Sequence, residues 1–312
     1  MKTITDSLPT NLMEAMKHFS DPMVCLQTVA AIKWPNGPVC PKCNSKRLSF
    51  LQTRLMWKCL DCKKQFSVKV GTIFEDSPIG LDKWIMAMWM LANCKNGISS
   101  YEVARDLKVT QKTAWFMLHR IRQAMQSGSI EKLSGEVEVD ETFMGGKSQN
   151  MHESKRASRI HGRGPHGKTA VLGFLQRGGT VRASVVPNRR KGVLDLAVRE
   201  NVKRGATVYS DALHSYDDLR YGYTHEVIDH AVAYVRGQVH TNGLENFWSL
   251  LKRAIRGTYV SVEPFHLMRY LAEEVFRYNE RQVTDGDRFQ QVLGSVAGKR
   301  LTWNALTCQE VG

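Results

Sequence analysis

Apolar residues at Leu81, Trp84, Ile85, Met88, Trp89 and Leu91 recur at helical spacing and give way at Asn96-Gly97, which predicts a helix ended by a turn. The stretches "SSYEVARDL" and "TQKTAWFMLHRIRQAM" keep the same period and predict two further helices joined by a short turn. Ser99 or Ser100 suits the N-cap of the first, with Glu102 close behind, and Thr110 suits that of the second. Three helices so spaced outline a helix-turn-helix, whose last helix offers Gln111, Lys112 and Thr113 to base edges or phosphates. A plain three-helix bundle has a similar pattern, and the Met and Trp stripe is core on either reading.

After the small, polar stretch "QSGSIEKLSGE" the period changes from helical to alternating. In "GEVEVDETFMGGK", Glu136, Glu138 and Asp140 share one face of a strand while Val137 and Val139 point the other way. On pattern alone this is an amphipathic edge strand with solvated acids. "KTAVLGFLQRGGTVRASVVP" predicts a hairpin turning at Gly178-Gly179, "KGVLDLAVRENV" a helix, and "ATVYSDALHSYDDL" a strand running into a loop. "HEVIDH" predicts a short strand and "TNGLENFWSLLKRAIRGTY" one long helix, so the second half is a mixed α/β domain. Lys147 to Lys168 interrupts it with six Lys/Arg, three His and one acid, a composition that predicts a mobile loop. Beside a carboxylate cluster, that loop would grip a phosphodiester backbone through Lys155, Arg156 and Arg159. His152, His161 and His166 lack ligand-like spacing.

Seven cysteines are too few and too unevenly placed for a secreted disulfide framework. Four of them form Cys40-x2-Cys43 and Cys59-x2-Cys62, separated by fifteen residues, the spacing of two knuckles that close a tetrahedral thiolate shell around structural zinc. A redox reading needs a C-x-x-C beside a βαβ pattern, which is absent here. The intervening residues alternate like ribbon strands, with Trp57 and Phe66 placed to cover the metal, and Cys25, Cys94 and Cys308 read as reduced, partly buried thiols. The expected organisation is an N-terminal helical segment and zinc ribbon over 1–75, a helix-turn-helix-like module over 76–130, and an α/β catalytic domain with a C-terminal helix over 131–312.

Lys+Arg 44 against Asp+Glu 30 gives a net charge of +14, which favours a polyanionic partner. No run of 18 apolar residues exists and the N-terminus lacks the apolar core of a signal peptide, so the expectation is an intracellular protein that meets nucleic acid.

Two further acids join Asp140: Asp211 ends the apolar strand "TVYSD", and Glu245 lies on the long helix. There Leu244, Trp248, Leu251 and Ile255 make a core stripe, and Glu245, Ser249, Lys252 and Arg256 a parallel one. Magnesium takes carboxylate oxygens plus substrate phosphate, and two such ions activate an attacking hydroxyl while stabilising the leaving oxygen. Two strand-borne aspartates and a helix-borne glutamate are a donor set of that kind, with Lys252 and Arg256 beside it for phosphate.

"VEVDETFMGGK", "VYSDALHSY" and "HTNGLENFWSLLKRAIRGTY", downstream of a four-cysteine ribbon, resemble the zinc-ribbon DDE transposases of bacterial insertion sequences, the group numbered fifteen ninety-five. The resemblance spans nearly the whole chain. It implies an RNase H-like mixed sheet flanked by helices, and magnesium-dependent cutting and joining of DNA at the ends of a mobile element. It further implies two Mg2+ or Mn2+ ions on Asp140, Asp211 and Glu245, with Lys252 as the basic residue seven positions on. Asn242 or Asn246 is the alternative third ligand; Glu245 is preferred because a carboxylate binds magnesium more strongly than an amide. Glu138 is expected to be a bystander near the metals and His240 a substrate or supporting contact. The implied partners are the element's terminal repeats and target DNA, with the chain as a homo-oligomer in the prokaryotic cytoplasm. A metal-dependent nuclease or resolvase without strand transfer, and a DNA-binding regulator with an inert core, are the competing readings.

Overall fold

The structure, a computed structural model, describes residues 8–126, 131–146, 152–159, 167–211, 216, 219, 221–228 and 240–307. Two compact units divide the chain: residues 1–126 with 282–312, and residues 127–281.

The first unit begins with α1 (Leu12–His18) and α2 (Pro22–Lys33), whose N-termini are capped by the Asn11 and Asp21 side chains. A three-stranded antiparallel ribbon follows, β1 (Leu48–Leu51), β2 (Met56–Cys59) and β3 (Gln65–Phe66). Trp57 stacks on Phe66, and Trp34 meets both edge-on, so aromatic area replaces the core that so small a sheet lacks. The three helices expected next are α3 (Leu81–Asn93), α4 (Ser100–Leu107) and α5 (Gln111–Met125). Ser99 and Glu102 form a reciprocal capping box, Thr110 caps α5, and Lys108 turns the chain between them in a left-handed conformation.

The C-terminal segment departs from expectation. The expected α/β domain extends over 131–312, yet α10 (Asp285–Gly294) and α11 (Trp303–Thr307) belong to the first unit. The reason is burial: Phe289, fully buried on α10, meets Trp89 of α3 at a ring distance of 5.1 Å and Phe19 at 5.7 Å. Arg120 of α5 then donates to the carbonyls of Leu301, Ile73 and Glu75, and Lys299 donates to those of Ala124 and Gln126 at the end of α5. The chain of the first unit is thus interrupted by the whole of the second.

The second unit is built on a five-stranded mixed sheet, ordered β6-β5-β4-β7-β8. Its strands are β4 (Glu136–Met144), β5 (Thr169–Gln176), β6 (Val181–Val186), β7 (Thr207–Asp211) and β8 (Thr224–Ile228). β4 to β6 pair antiparallel, while β7 and β8 run parallel to β4, so the acid-bearing strand is central and buried rather than an edge. This is the mixed α/β, RNase H-like arrangement expected. One face carries Val137, Val139, Leu172, Phe174 and Val208 against α7 (Lys191–Asn201). The other packs Val171, Leu175 and Val181 against α8 (Asn242–Ala254) and α9 (Leu267–Asn279). The long helix expected at 241–259 changes to π-helical winding over Ile255–Tyr259.

The basic insertion is also corrected in part: Glu153–Arg159 forms α6 rather than loop, consistent with residues that tolerate a helix and with an acid in its first turn. Arg156 is exposed on it; the side chains of Lys155 and Arg159, like His161, His166 and Cys308, lie outside the described residues. Among the described residues, no helix is long and apolar enough to cross a membrane.

Replacing Phe289 with Ala is expected to cost about 3–5 kcal/mol in the first unit through loss of buried ring area. Hydrogen exchange checks this: amide protection in α3 should fall while that in β4 and β5 is unchanged. An equal fall in both would contradict the division of the chain.

Candidate active site

Parallel pairing of Val139 with Ser210 sets Asp140 and Asp211 at the next register position of neighbouring strands. Asp140, in the middle of β4, therefore lies beside a second acid at the C-terminal end of β7. α8 crosses this face with Leu244, Phe247, Trp248 and Leu251 buried, which turns Glu245, Ser249, Lys252 and Arg256 outward along the parallel stripe. Asp140, Glu245, Lys252 and Arg256 line one cleft of about 520 Å³. Asn242 and Asn246 are not among its lining residues.

Burial, with Glu141 and Asp211 close by, raises the Asp140 carboxyl to about 6, against the lowering effect of a hydrogen bond from Trp248 Nε1 to Oδ2 at 2.9 Å. Across the cleft, burial and then the nearby Arg256 lower the Lys252 ammonium, with Asp140 acting in the opposite sense and Lys168 in the same one. A partly buried carboxylate, Asp140, therefore shares the cleft with a partly buried ammonium, Lys252.

The other acids of β4 are differently placed. Glu138, expected to be a bystander near the metals, is 2% exposed and turned toward the start of α8. Its Oε2 accepts from the Leu244 backbone N–H at 3.0 Å, and its Oε1 pairs with Arg177 Nε at 3.3 Å and His240 Nδ1 at 3.4 Å. Thr241, at the N-cap of α8, makes no side-chain cap, so Glu138 supplies one from the neighbouring strand. His240 is thereby a partner of this clamp. Glu141 points to the opposite face, where it pairs with Arg189 at 3.3 Å and accepts from the Tyr216 hydroxyl at 2.7 Å. Burial, followed by Glu141, pushes the Tyr216 phenol well above its usual range. Sequence reasoning missed Trp248 as a polar partner, along with Arg177, Lys168 and Arg189; the Trp at i+3 from Glu245 was the available signal.

The donor set fits a hard divalent cation: carboxylate oxygens, with Asp140 buried beside the further acids Glu141 and Asp211. The three carboxylates are not drawn together as a ligand cage. Among the described residues, the one cluster of three or more such ligand atoms within 4.8 Å is Cys40, Cys43, Cys59 and Cys62.

Those four sulfurs match structural zinc. Cys40 and Cys62, and Cys43 and Cys59, stand 3.6 Å apart, close to the edge of about 3.8 Å that a thiolate tetrahedron with a metal–sulfur distance of about 2.3 Å requires. The two knuckles repeat one geometry: the Cys40 N–H donates to the Ser45 carbonyl and the Cys59 N–H to that of Lys64, with Asn44 and Lys63 left-handed. Backbone N–H groups of Cys62 and Asp61 draw the Cys59 thiol down to about 6 despite burial.

The predicted DNA-contact residues of α5 are engaged within the chain. Gln111 Nε2 donates to Ser100 Oγ at 2.8 Å, Thr113 shares a 2.8 Å hydroxyl bond with Thr110, and the Lys112 ammonium lies 4.5 Å from the Trp303 ring centre.

Comparison with known proteins agrees with this arrangement. Residues 132–279 match the ISXO2-like transposase domain and residues 21–65 the transposase zinc-ribbon domain. The chain is 27% identical over 282 residues to an uncharacterized protein in transposable element ISH50 of Halobacterium salinarum, covering 85% of this chain and 95% of that one. It is 32% identical over 100 residues to an uncharacterized transposase-like protein of Haemophilus influenzae, covering 32% of this chain and 80% of the relative.

Two expectations follow. Cys40→Ser or Cys59→Ser should lower zinc content and unfold the ribbon, because metal binding and folding are coupled; zinc-free purified wild-type protein would sink the assignment. Asp140, whose folded value is raised from 3.8 to about 6, loses stability for the fold as pH climbs through that window. Asp140→Asn should therefore stabilise metal-free protein at pH 8 by roughly 1–3 kcal/mol and bring no gain near pH 3. Thermal melts in chelator at the two pH values check it; equal effects at both would contradict the buried-charge account.

Proposed function

The chain belongs to the ISXO2-like transposases, and on that footing we propose that it binds the ends of an insertion sequence and cleaves and joins DNA with magnesium. The observation that carries this reading is the cleft: Asp140, Glu245, Lys252 and Arg256 line it together, with Asp211 beside Asp140 on the next strand.

Asp140, Asp211 and Glu245 would hold the divalent ions. When bound, such ions supply Lewis acidity that activates the attacking oxygen and stabilises the leaving one. Lys252 and Arg256 hold the phosphate backbone as point charge and planar donor respectively, and the partial burial of Lys252 lessens the screening of its charge by water. Glu245 is the third ligand in preference to Asn242 or Asn246 because it alone of the three lines the cleft. Outside the cleft, Lys155, Arg156 and Arg159 on α6 neutralise phosphates. Gln111, Lys112 and Thr113 read the element's end after exchanging Ser100, Trp303 and Thr110 for DNA. Two element ends brought together call for more than one copy of the chain, so the acting form is a homo-oligomer on DNA.

Asp140→Asn, Asp211→Asn and Glu245→Gln each exchange an anionic oxygen for a neutral amide of similar shape. DNA binding should persist while magnesium-dependent cleavage of an end-bearing substrate falls by roughly 10²-fold or more. Asn242→Ala separates the two choices for the third ligand: loss of cleavage there, with Glu245→Gln active, would overturn Glu245. A wild-type protein that cuts but never joins a 3′ end to new DNA would replace transposition with the nuclease reading.

A further inference from the structure

Asp140 pairs with Gly173 across β4 and β5, and both belong to the sheet face that α8 covers. A β-carbon on Gly173 would lie 2.5 Å from Cζ2 and 2.8 Å from Cη2 of Trp248, closer than any real contact. Glycine is needed at this position for space, since its φ lies outside the left-handed region. The space is filled by an indole that is 3% exposed. Its single polar atom, Nε1, has one partner to find, and that partner is Asp140 Oδ2.

A donor aimed at an anionic oxygen from a rigid, buried ring restricts rotation of the carboxylate more than a flexible side chain would. Trp248 also sits between Glu245, three residues before it, and Lys252, four residues after it, on the helix that closes the cleft. One hydrogen bond therefore ties the strand bearing the first acid to the helix bearing the third and the lysine.

We propose that Trp248 is a positioning residue for Asp140. Its indole N–H fixes the rotation of the carboxylate, and so which oxygen meets a divalent cation, while Gly173 provides the room that lets the ring reach it. This rests on the reading of Asp140 as a metal-binding carboxylate. Asp140→Asn tests the bond and Trp248→Phe its consequence.

The experiment uses the full chain labelled with ¹⁵N at its seven tryptophans, with Trp248→Phe identifying the Trp248 indole signal. That signal should move in Asp140→Asn, and it should move on adding Mg2+ to the wild type but not to Asp140→Asn. In cleavage assays Trp248→Phe should lower kcat by roughly 10- to 100-fold, the worth of a hydrogen bond to a charged group, with KM for DNA within about twofold. Gly173→Ala should do the same by displacing the ring, and the double variant should be no worse than Trp248→Phe. Unchanged signals from the other six indoles show that each variant is folded; should Trp248→Phe not fold, Gly173→Ala carries the test. A Trp248 signal indifferent to Asp140→Asn, or a folded variant with kcat within about twofold of wild type, overturns the proposal. If the wild type cleaves no DNA, the functional reading fails and the indole decides this proposal alone: a response to Mg2+ sustains it and silence overturns it.

Discussion

The buried carboxylate of Glu138 holds the first turn of α8 against the central strand, and every group of the cleft that is not on a strand depends on it. Removing a carboxylate from water is tolerable only when its oxygens are matched. Here Leu244 N–H and His240, from the start of α8 and the residues just before it, and Arg177, from the turn after β5, do the matching. Gly243 permits the approach, since a β-carbon there would lie 2.8 Å from Glu138 Oε2 and collide with Leu175. Glu245, Trp248, Lys252 and Arg256 follow within four turns of this anchor, so a slip at the first turn would misplace all of them.

Set against that clamp, the acids of β4 divide by how their charge is met. Glu136 is exposed, with the Tyr209 hydroxyl at 2.7 Å; Glu138 has its cap and its arginine; Glu141 has Arg189 and Tyr216 on the far face. Asp140 is buried beside two acids, with the Trp248 indole and the Glu141 backbone N–H as neutral donors, and its carboxyl is raised on balance. A folded protein that buries a carboxylate among acids, beside a cleft with lysine and arginine on its other wall, carries a local cost that a bound divalent cation and phosphate together would remove.

The first unit solves a different problem. Its ribbon has three strands of two to four residues, too little for a hydrophobic core, and relies on four thiolates and a cluster of aromatic rings. Its helices are closed by residues from the far end of the chain, with Phe289 in the core and Arg120 and Lys299 donating to backbone carbonyls. Lys112 lies against Trp303 of that same returning segment, so the predicted DNA-reading end of α5 packs beside α11.

Local chemistry was legible in the sequence. The two C-x-x-C knuckles, the caps at Ser99 and Thr110, the glycine hairpin at Gly178 and the alternation of Glu136, Glu138 and Asp140 each depend on residues a few positions apart, where spacing alone dictates direction. The stripe of Glu245, Ser249, Lys252 and Arg256 was legible for the same reason. What tertiary structure decided was which of several equivalent acids is buried, paired or left charged. Periodicity sets Glu138 and Asp140 on one face; it cannot say that α8 begins over the first and that Trp248 reaches the second, because those contacts join residues more than a hundred positions apart. The same holds for residues 282–307, whose helical pattern was silent on whether they return to α3, since an amphipathic face specifies that it must be covered and not by what.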